Sequence, residues 1–279
     1  MSTSIDALFD PPGPKGLRSQ RIATVVSSLA ITALVVLMVY RFAAAGGLDR
    51  AKWEIFNAPG SVRLIGTALG STLKVAVTAG LLAFVLAVVL AMLRMVAPPA
   101  VQRVVAVYVE VTRSLPTLLV LYFTILFLPD SGLNMPVYWQ LVLALVITNA
   151  ALISEILRAS LLSIPRGQTE AAMSLGVTRP RAVRLILLPQ ALRAATPALI
   201  SQLVYLLKAS TLGYVVSYTE LLYIGRVIGE YTGNLLQSYL VVTAIFLLVN
   251  VVLSRLALLL QVRLSRRGAV TVSLPKESG

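Results

Sequence analysis

Hydrophobic residues make up 58% of this 279-residue chain and its mean hydropathy is +0.88. That is well above the roughly 45–50% apolar content of soluble domains, so the composition reads as a polytopic membrane protein. The chain has no Cys and no His, which excludes disulfides, thiolate chemistry and the commonest general base and metal ligand. The net charge of +13 is spread over the segments between apolar runs. Such spreading argues against a nucleic-acid footprint and fits the bias of basic residues toward the cytoplasmic side of a membrane.

Residues 1–21, with Lys15, Arg18 and Arg21, read as a disordered basic cytoplasmic tail. Gly13-Pro14-Lys15-Gly16 lacks the Lys-Ser/Thr ending and strand context of a phosphate loop, so the chain is not expected to bind ATP in that way. Residues 22–40 form a first apolar span, longer than the roughly 7–15 residues of a signal peptide's apolar region, and are expected to remain uncleaved. Residues 46–63, with Trp53, Phe56 and Pro59, read as an external amphipathic connector.

The second span covers about 64–96, with Gly66, Ala68, Gly70 and Ser71 available for close helix packing. The third covers about 104–128 and is interrupted at Pro116. A tight turn at Pro129-Asp130-Ser131-Gly132 leads to the fourth, about 137–157. The fifth covers about 191–216, with Pro197 inside it, and residues 217–236 read as a polar outer connector. The sixth covers about 238–261, followed by a basic tail from 263.

Between the fourth and fifth spans lie Arg158, Arg166, Arg179, Arg181 and Arg184. One arginine at the bilayer centre costs ~2.5–3.5 kcal/mol on insertion scales, so this stretch sits outside the hydrocarbon. Its punctuation predicts two short helices. The first begins near Pro165 and runs through Leu175, and Gly176 ends it with a positive φ. Thr178 is the expected N-cap of the second, and Pro189 is expected to break the chain before the fifth span. A mere connector has no need of such local specification; the loop reads as a docking surface. Six spans put both termini on one side, and the basic residues place the termini and this loop in the cytoplasm.

Glu170-Ala171-Ala172, then three residues, Gly176, nine residues, Ile186, one residue and Leu188-Pro189 resembles the EAA signature of ABC-importer permeases. Arg113-Ser114-Leu115-Pro116, Ser154-Glu155-Ile156-Leu157-Arg158, Ile164-Pro165-Arg166-Gly167-Gln168 and Leu207-Lys208-Ala209-Ser210-Thr211-Leu212 look like further blocks of the polar amino acid uptake permeases. One departure is Ser114-Leu115, where that family has Gly-Thr. The resemblance implies an all-α fold of six transmembrane helices: a five-span type I importer core over 64–262, one additional N-terminal span over 22–45, and a cytoplasmic helix–Gly–helix coupling loop over 158–190. It implies residence in a bacterial cytoplasmic membrane and no catalysis or cofactor in this chain, since ATP and Mg would be bound by partner ATPase subunits. The expected partners are a second permease chain, two ATP-binding subunits and an extracytoplasmic solute-binding protein. The substrate it suggests is glutamate or another acidic or amide amino acid, with a different polar or basic amino acid as the alternative; a secondary transporter or membrane scaffold is more distant.

The signature assigns Glu170, Ala171, Ala172, Leu175, Gly176, Ile186, Leu188 and Pro189 to the coupling loop. Ala171 and Ala172 would let a helix lie deep in a partner's groove, Glu170 would add a polar contact, and Gly176 would set the inter-helix angle. For the substrate path the candidates are Arg113, Lys208, Asn149, Gln202 and Ser210. Arg113 can pair with Glu110 three residues away or hold a substrate carboxylate. Lys208 reads as lying well inside the fifth span, where an ammonium needs a partner or an aqueous path. Asn149, Gln202 and Ser210 offer uncharged hydrogen bonds or serve as interhelical glue. Glu155 and Arg158 are expected to anchor the start of the loop, and Lys74 is expected to snorkel.

Overall fold

The structure is a computed structural model that describes residues 14–266, so of the expected basic tails (1–21 and 263–279) residues 1–13 and 267–279 lie outside the described residues. The chain divides into two units at the Ala58–Pro59 junction. In the first unit, α1 (Pro14–Ala44) begins eight residues before the expected span. Pro14 suits a helix's opening position and the following Leu, Arg and Gln are good helix formers, so residues assigned to a tail are helical. α2 (Arg50–Glu54) and a 3₁₀ turn (Ile55–Asn57) follow. Trp53 caps this connector internally, donating its indole N–H to the Gly47 carbonyl at 3.0 Å.

The second unit is a helical bundle organised around α6 (Val137–Leu162). α6 packs against α3 (Pro59–Val96), α4 (Pro99–Ser114), α5 (Thr117–Asp130) and α9 (Leu188–Ala209). Lipid tails are as apolar as Leu, so helix association in a bilayer rests on close packing rather than on expulsion of water. α3 supplies that with a stripe of small residues at steps of three or four: Ala68, Thr72, Ala76, Ala79, Ala83, Ala87 and Ala91, all buried. Gly66 and Gly70, also expected at the packing face, are exposed, with open space where a Cβ would project. They share neither the heptad face of Ala68 nor its contacts.

α6 buries polar residues as well, and satisfies them within the helix. Thr148 donates to the Ala144 carbonyl at 3.0 Å and Ser154 to the Ala151 carbonyl at 2.8 Å. Three apolar clusters run along the bundle. Val75, Leu121, Leu141 and Leu206 lie in one, Ala87, Val109, Leu157 and Ala195 in the next, and Leu161, Val183, Leu187 and Ala191 in the last.

Among the described residues five helices are long and apolar enough to cross a membrane, and a sixth crossing arises if α4 and α5 count as one. That pair bends by 104° at Leu115-Pro116, so the expected interruption at Pro116 is a sharp break rather than a kink. Pro116 removes a donor and pushes Leu115 into an extended conformation, with φ −87° and ψ 134°. Pro129 sits within the last turn of α5, and the turn itself falls at Ser131-Gly132, where Gly132 adopts φ +83°. The expected polar outer connector is largely an amphipathic helix, α10 (Leu221–Thr232), which packs against α3 and α11 (Leu235–Arg266). α11 also extends past the expected end of the sixth span at 261, because Arg and Leu there continue the helix.

Candidate functional site

The segment after α6 folds on its own local rules. Pro165, extended at φ −55° and ψ 134°, precedes α7 (Arg166–Ser174). Gly176 closes α7 at φ +78°. Its N–H donates to the Met173 carbonyl at 2.9 Å and that of Val177 to the Ala172 carbonyl at 3.1 Å. This is the Schellman pattern, which only a residue tolerant of positive φ completes without strain.

Thr178 then precedes α8 (Arg179–Ala182), and here the structure departs from expectation. Pro189 does not break the chain. α8 passes through a π-helical turn (Val183–Leu187) directly into α9, so residues 179–216 form one continuous helical run. A proline ring clashes with the carbonyl four residues before it in a regular α-helix. The wider π turn, in which the Leu188 N–H reaches back to Val183, relieves that clash immediately ahead of Pro189. The second helix of the loop is therefore the end of the fifth span.

The signature residues divide into two groups. Glu170, Ala171, Leu175, Gly176 and Pro189 are exposed, Leu175 at 85%. Ala172 is 4% exposed, and Ala182 on the facing segment is fully buried. Ala172 thus packs inside the loop, where α7 meets α8 and the π turn, and is not available to a groove on another protein. Ile186 and Leu188 are half-buried, and Ile186 lies against the cluster of Leu161, Val183, Leu187 and Ala191. Met92, Met95 and Val96 from the end of α3 complete that cluster, so the loop is packed onto the ends of three spans.

An ion-pair clamp reinforces the same end. The Glu155 carboxylate takes Arg158 from its own helix and Arg94 from the last turn of α3, each at 2.5 Å. Arg158 was expected beside Glu155; Arg94, 61 residues away, was not. All three side chains are mostly buried, and one carboxylate stapling two guanidiniums joins α3 to α6 just before the loop begins.

The path candidates do not converge. Asn149, fully buried on α6, accepts from the Gln202 amide on α9 at 2.8 Å and donates to the Leu145 carbonyl at 2.8 Å. Ser210 is buried and bonds the Leu207 carbonyl at 2.7 Å. These geometries are those of interhelical and local glue. Arg113 is exposed in the last turn of α4 at the α4–α5 break, and it forms no ion pair with Glu110, which is exposed too. Lys208 is exposed in the last turn of α9, eight residues before the end of the helical run. Lys74 lies over the Tyr138 ring, 5.0 Å from its centroid, a cation–π contact rather than a free snorkelling ammonium.

At the far end of the bundle stands a residue assigned only to the connector. Glu220 is fully buried and caps α10, accepting the N–H groups of Leu222 at 2.9 Å and Tyr223 at 2.6 Å. The next N–H, of Leu221, goes to the Thr72 hydroxyl on α3 at 3.0 Å. Burial pushes the Glu220 carboxyl up to about 7, against the lowering effect of its two backbone donors. The signal was present in the sequence: an acidic residue directly before Leu221, Ile224, Gly225, Ile228 and Gly229, which repeat at helical spacing. Gly225 and Gly229 let α11 approach closely, and a Cβ on Gly229 would come within 2.8 Å of the Leu235 backbone. Among the described residues no group of three or more Asp or Glu side chains is placed to hold a metal ion.

The family model described as binding-protein-dependent transport system inner membrane component matches residues 79–266. The chain is 34% identical over 195 residues to the probable glutamine ABC transporter permease protein GlnP of Bacillus subtilis, covering 69% of this chain and 89% of that one. It is 36% identical over 219 residues to the glutamate transport system permease protein GluD of Corynebacterium glutamicum, covering 76% and 79%. Among solved structures, a crystal structure of an amino acid ABC transporter with histidines superposes with a TM-score of 0.68 at 29% identity, over 73% of this chain and 95% of that chain.

Proposed function

Because this chain belongs to the family of binding-protein-dependent transport system inner membrane components, we propose that it is the permease subunit of an ATP-driven importer for glutamate or another acidic or amide amino acid. It is a transport component, not an enzyme, and it works with separate ATPase and solute-binding subunits in the membrane. The names of its glutamine and glutamate relatives support the substrate class. The proposed assembly is a pair of permease chains, two ATP-binding subunits and one external binding protein, with both termini of this chain in the cytoplasm.

The observation that carries the coupling part of the reading is the continuity from loop to span. The exposed face of α7, with Glu170, Ala171, Met173 and Leu175, is the proposed contact for an ATPase. Behind it, α8 runs unbroken into α9, and the cluster around Leu161 and Val183 ties it to α3 and α6. Closure of the ATPases on ATP would draw two such loops together. Each loop would carry its spans as a rigid body, tilting them from inward-open to outward-open.

Arg113 and Lys208, exposed and in none of the ion pairs among the described residues, are the proposed fixed charges along the path for an anionic amino acid. The test is uptake of a panel of labelled amino acids by the permease reconstituted with its ATPase and binding protein. Glutamate uptake is expected to lead the panel. Lys208→Met keeps the apolar stem and should lower it about tenfold or more, one charge-assisted hydrogen bond being ~1.5–3 kcal/mol. The binding protein's own affinity should not move. Unchanged uptake at normal expression would remove Lys208 from the path, and leadership by a basic amino acid would overturn the substrate class.

A further inference from the structure

A cavity of ≈ 460 Å³ opens beside the loop, where the last turns of α3 and α6 meet the start of α4 and the start of α8. Four arginines line it: Arg94, Arg103, Arg158 and Arg179, together with Gln102. Among the described residues no carboxylate lines it; Glu155, next to it, is already bonded to Arg94 and Arg158. The guanidiniums of Arg103 and Arg179 are exposed and take part in none of the ion pairs among the described residues. The opening turn of α4, at Pro99 and Gln102, adds the positive end of a 16-residue helix. Met95 and Leu162 supply apolar wall.

We propose that this cavity binds the headgroup of an anionic phospholipid. The chemistry required is an anion with several acceptor oxygens, because four forked donors converge with one acceptor group between them. The position selects lipid over a free anion. Arg94 lies in the last turn of α3 and Arg158 in the closing turns of α6, so the cavity sits at the charged ends of two apolar spans, with Met95 and Leu162 beside the guanidiniums. Basic pockets between spans at the membrane surface suit phosphate-bearing headgroups. A lipid there would touch α3, α6 and α8 together, and so would brace the loop against the spans. The inference needs only that α3 and α6 cross the membrane, and it is independent of the transported solute.

The test uses the purified full chain in nanodiscs of mixed zwitterionic lipid and phosphatidylglycerol, with bound lipid quantified by mass spectrometry after extraction into detergent. Arg103→Gln with Arg179→Gln removes the two free guanidiniums. Arg181→Gln with Arg184→Gln removes the same charge from the same loop outside the cavity. Retained phosphatidylglycerol should fall about 25-fold in the first pair, each arginine facing an anionic headgroup contributing about fivefold, and stay near wild type in the second. Equal losses in both pairs would mean diffuse attraction and overturn the proposal. So would binding of inorganic phosphate at the same arginines with no lipid retained. Displacement of retained lipid by added ATPase subunits would make the cavity part of a protein interface, and would also overturn it.

Discussion

Glu220→Gln should change how stability depends on pH, in a direction the structure dictates. The wild-type carboxyl titrates at about 7 in the folded chain against an ordinary 4.5, the cause being burial. Below pH 4.5 both folded and unfolded chains hold the proton. Between the two values the folded chain keeps it while the unfolded chain releases it, so stability falls as pH rises and levels off above 7. The size of that fall is about 3.5 kcal/mol, at ~1.4 kcal/mol per pH unit of separation. Glutamine retains an acceptor oxygen for the Tyr223 N–H but carries no charge, so the fall should vanish and the variant should exceed wild type above pH 7. Glu220→Ala removes the cap and should cost ~0.5–2 kcal/mol at every pH. The Glu220 carboxylate meets the Leu222 and Tyr223 amides and the nearby Tyr218 phenol, none of which titrates in this window. Denaturant unfolding of the purified chain in detergent, followed by circular dichroism from pH 4.5 to 8, reads the difference between variants and cancels the other carboxylates. A Glu220→Gln profile parallel to wild type would show that the carboxyl is not desolvated as its geometry requires.

Gly176→Val places a β-branched residue at φ +78°, where the space around the Cβ is open, so its effect is backbone strain rather than collision. Uptake and binding-protein-stimulated ATP hydrolysis should both fall while membrane insertion stays normal; full uptake would end the lever argument. Asn149→Leu strands the Gln202 amide and should lower stability by ~0.6–1.7 kcal/mol with uptake per inserted molecule unchanged, whereas collapse of uptake at normal stability would return Asn149 to the path. A reporter active only outside the cell should be silent when fused after residue 267 and active when inserted near Gly132. The reverse pattern would invert the orientation drawn from the charges.

The parts of the fold that local chemistry controls were legible in the residues. Apolar runs longer than the bilayer is thick marked the spans. Gly176, with its neighbours, marked a left-handed helix end, and Pro116 marked an interruption. The parts that depend on pairing between distant helices were not. Nothing near Arg94 in the chain points to Glu155, because their meeting depends on how α3 crosses α6. Gly66 and Gly70 look like packing residues from their size alone, but the register of the α3 stripe turns them outward. Arg113 and Glu110 have the right spacing to pair on a helix and do not, since at exposed positions each gains as much from water.

Pro189 gave the more instructive error. A proline ahead of an apolar run ordinarily signals a helix boundary, and on that rule the loop would be a hinged hairpin tethered to the fifth span. The π turn at Val183–Leu187 reverses the consequence. It absorbs the proline's lost hydrogen bond and carries the helix through, so a displacement at α7 has no flexible joint at Pro189 in which to dissipate. The helices of the loop are interrupted at two places: the Ser163-Ile164-Pro165 link before α7, and the Gly176-Val177-Thr178 link after it. The second is pinned by the Schellman bonds and by the buried Ala172 and Ala182 on either side. The first is flanked by Leu161 in the apolar cluster and by the Glu155 clamp. On the proposed reading, a force on Leu175 should move α9 and the ends of α3 and α6 together. That is the mechanical property the proposed coupling element requires, and it would follow from one extra residue in a helical turn.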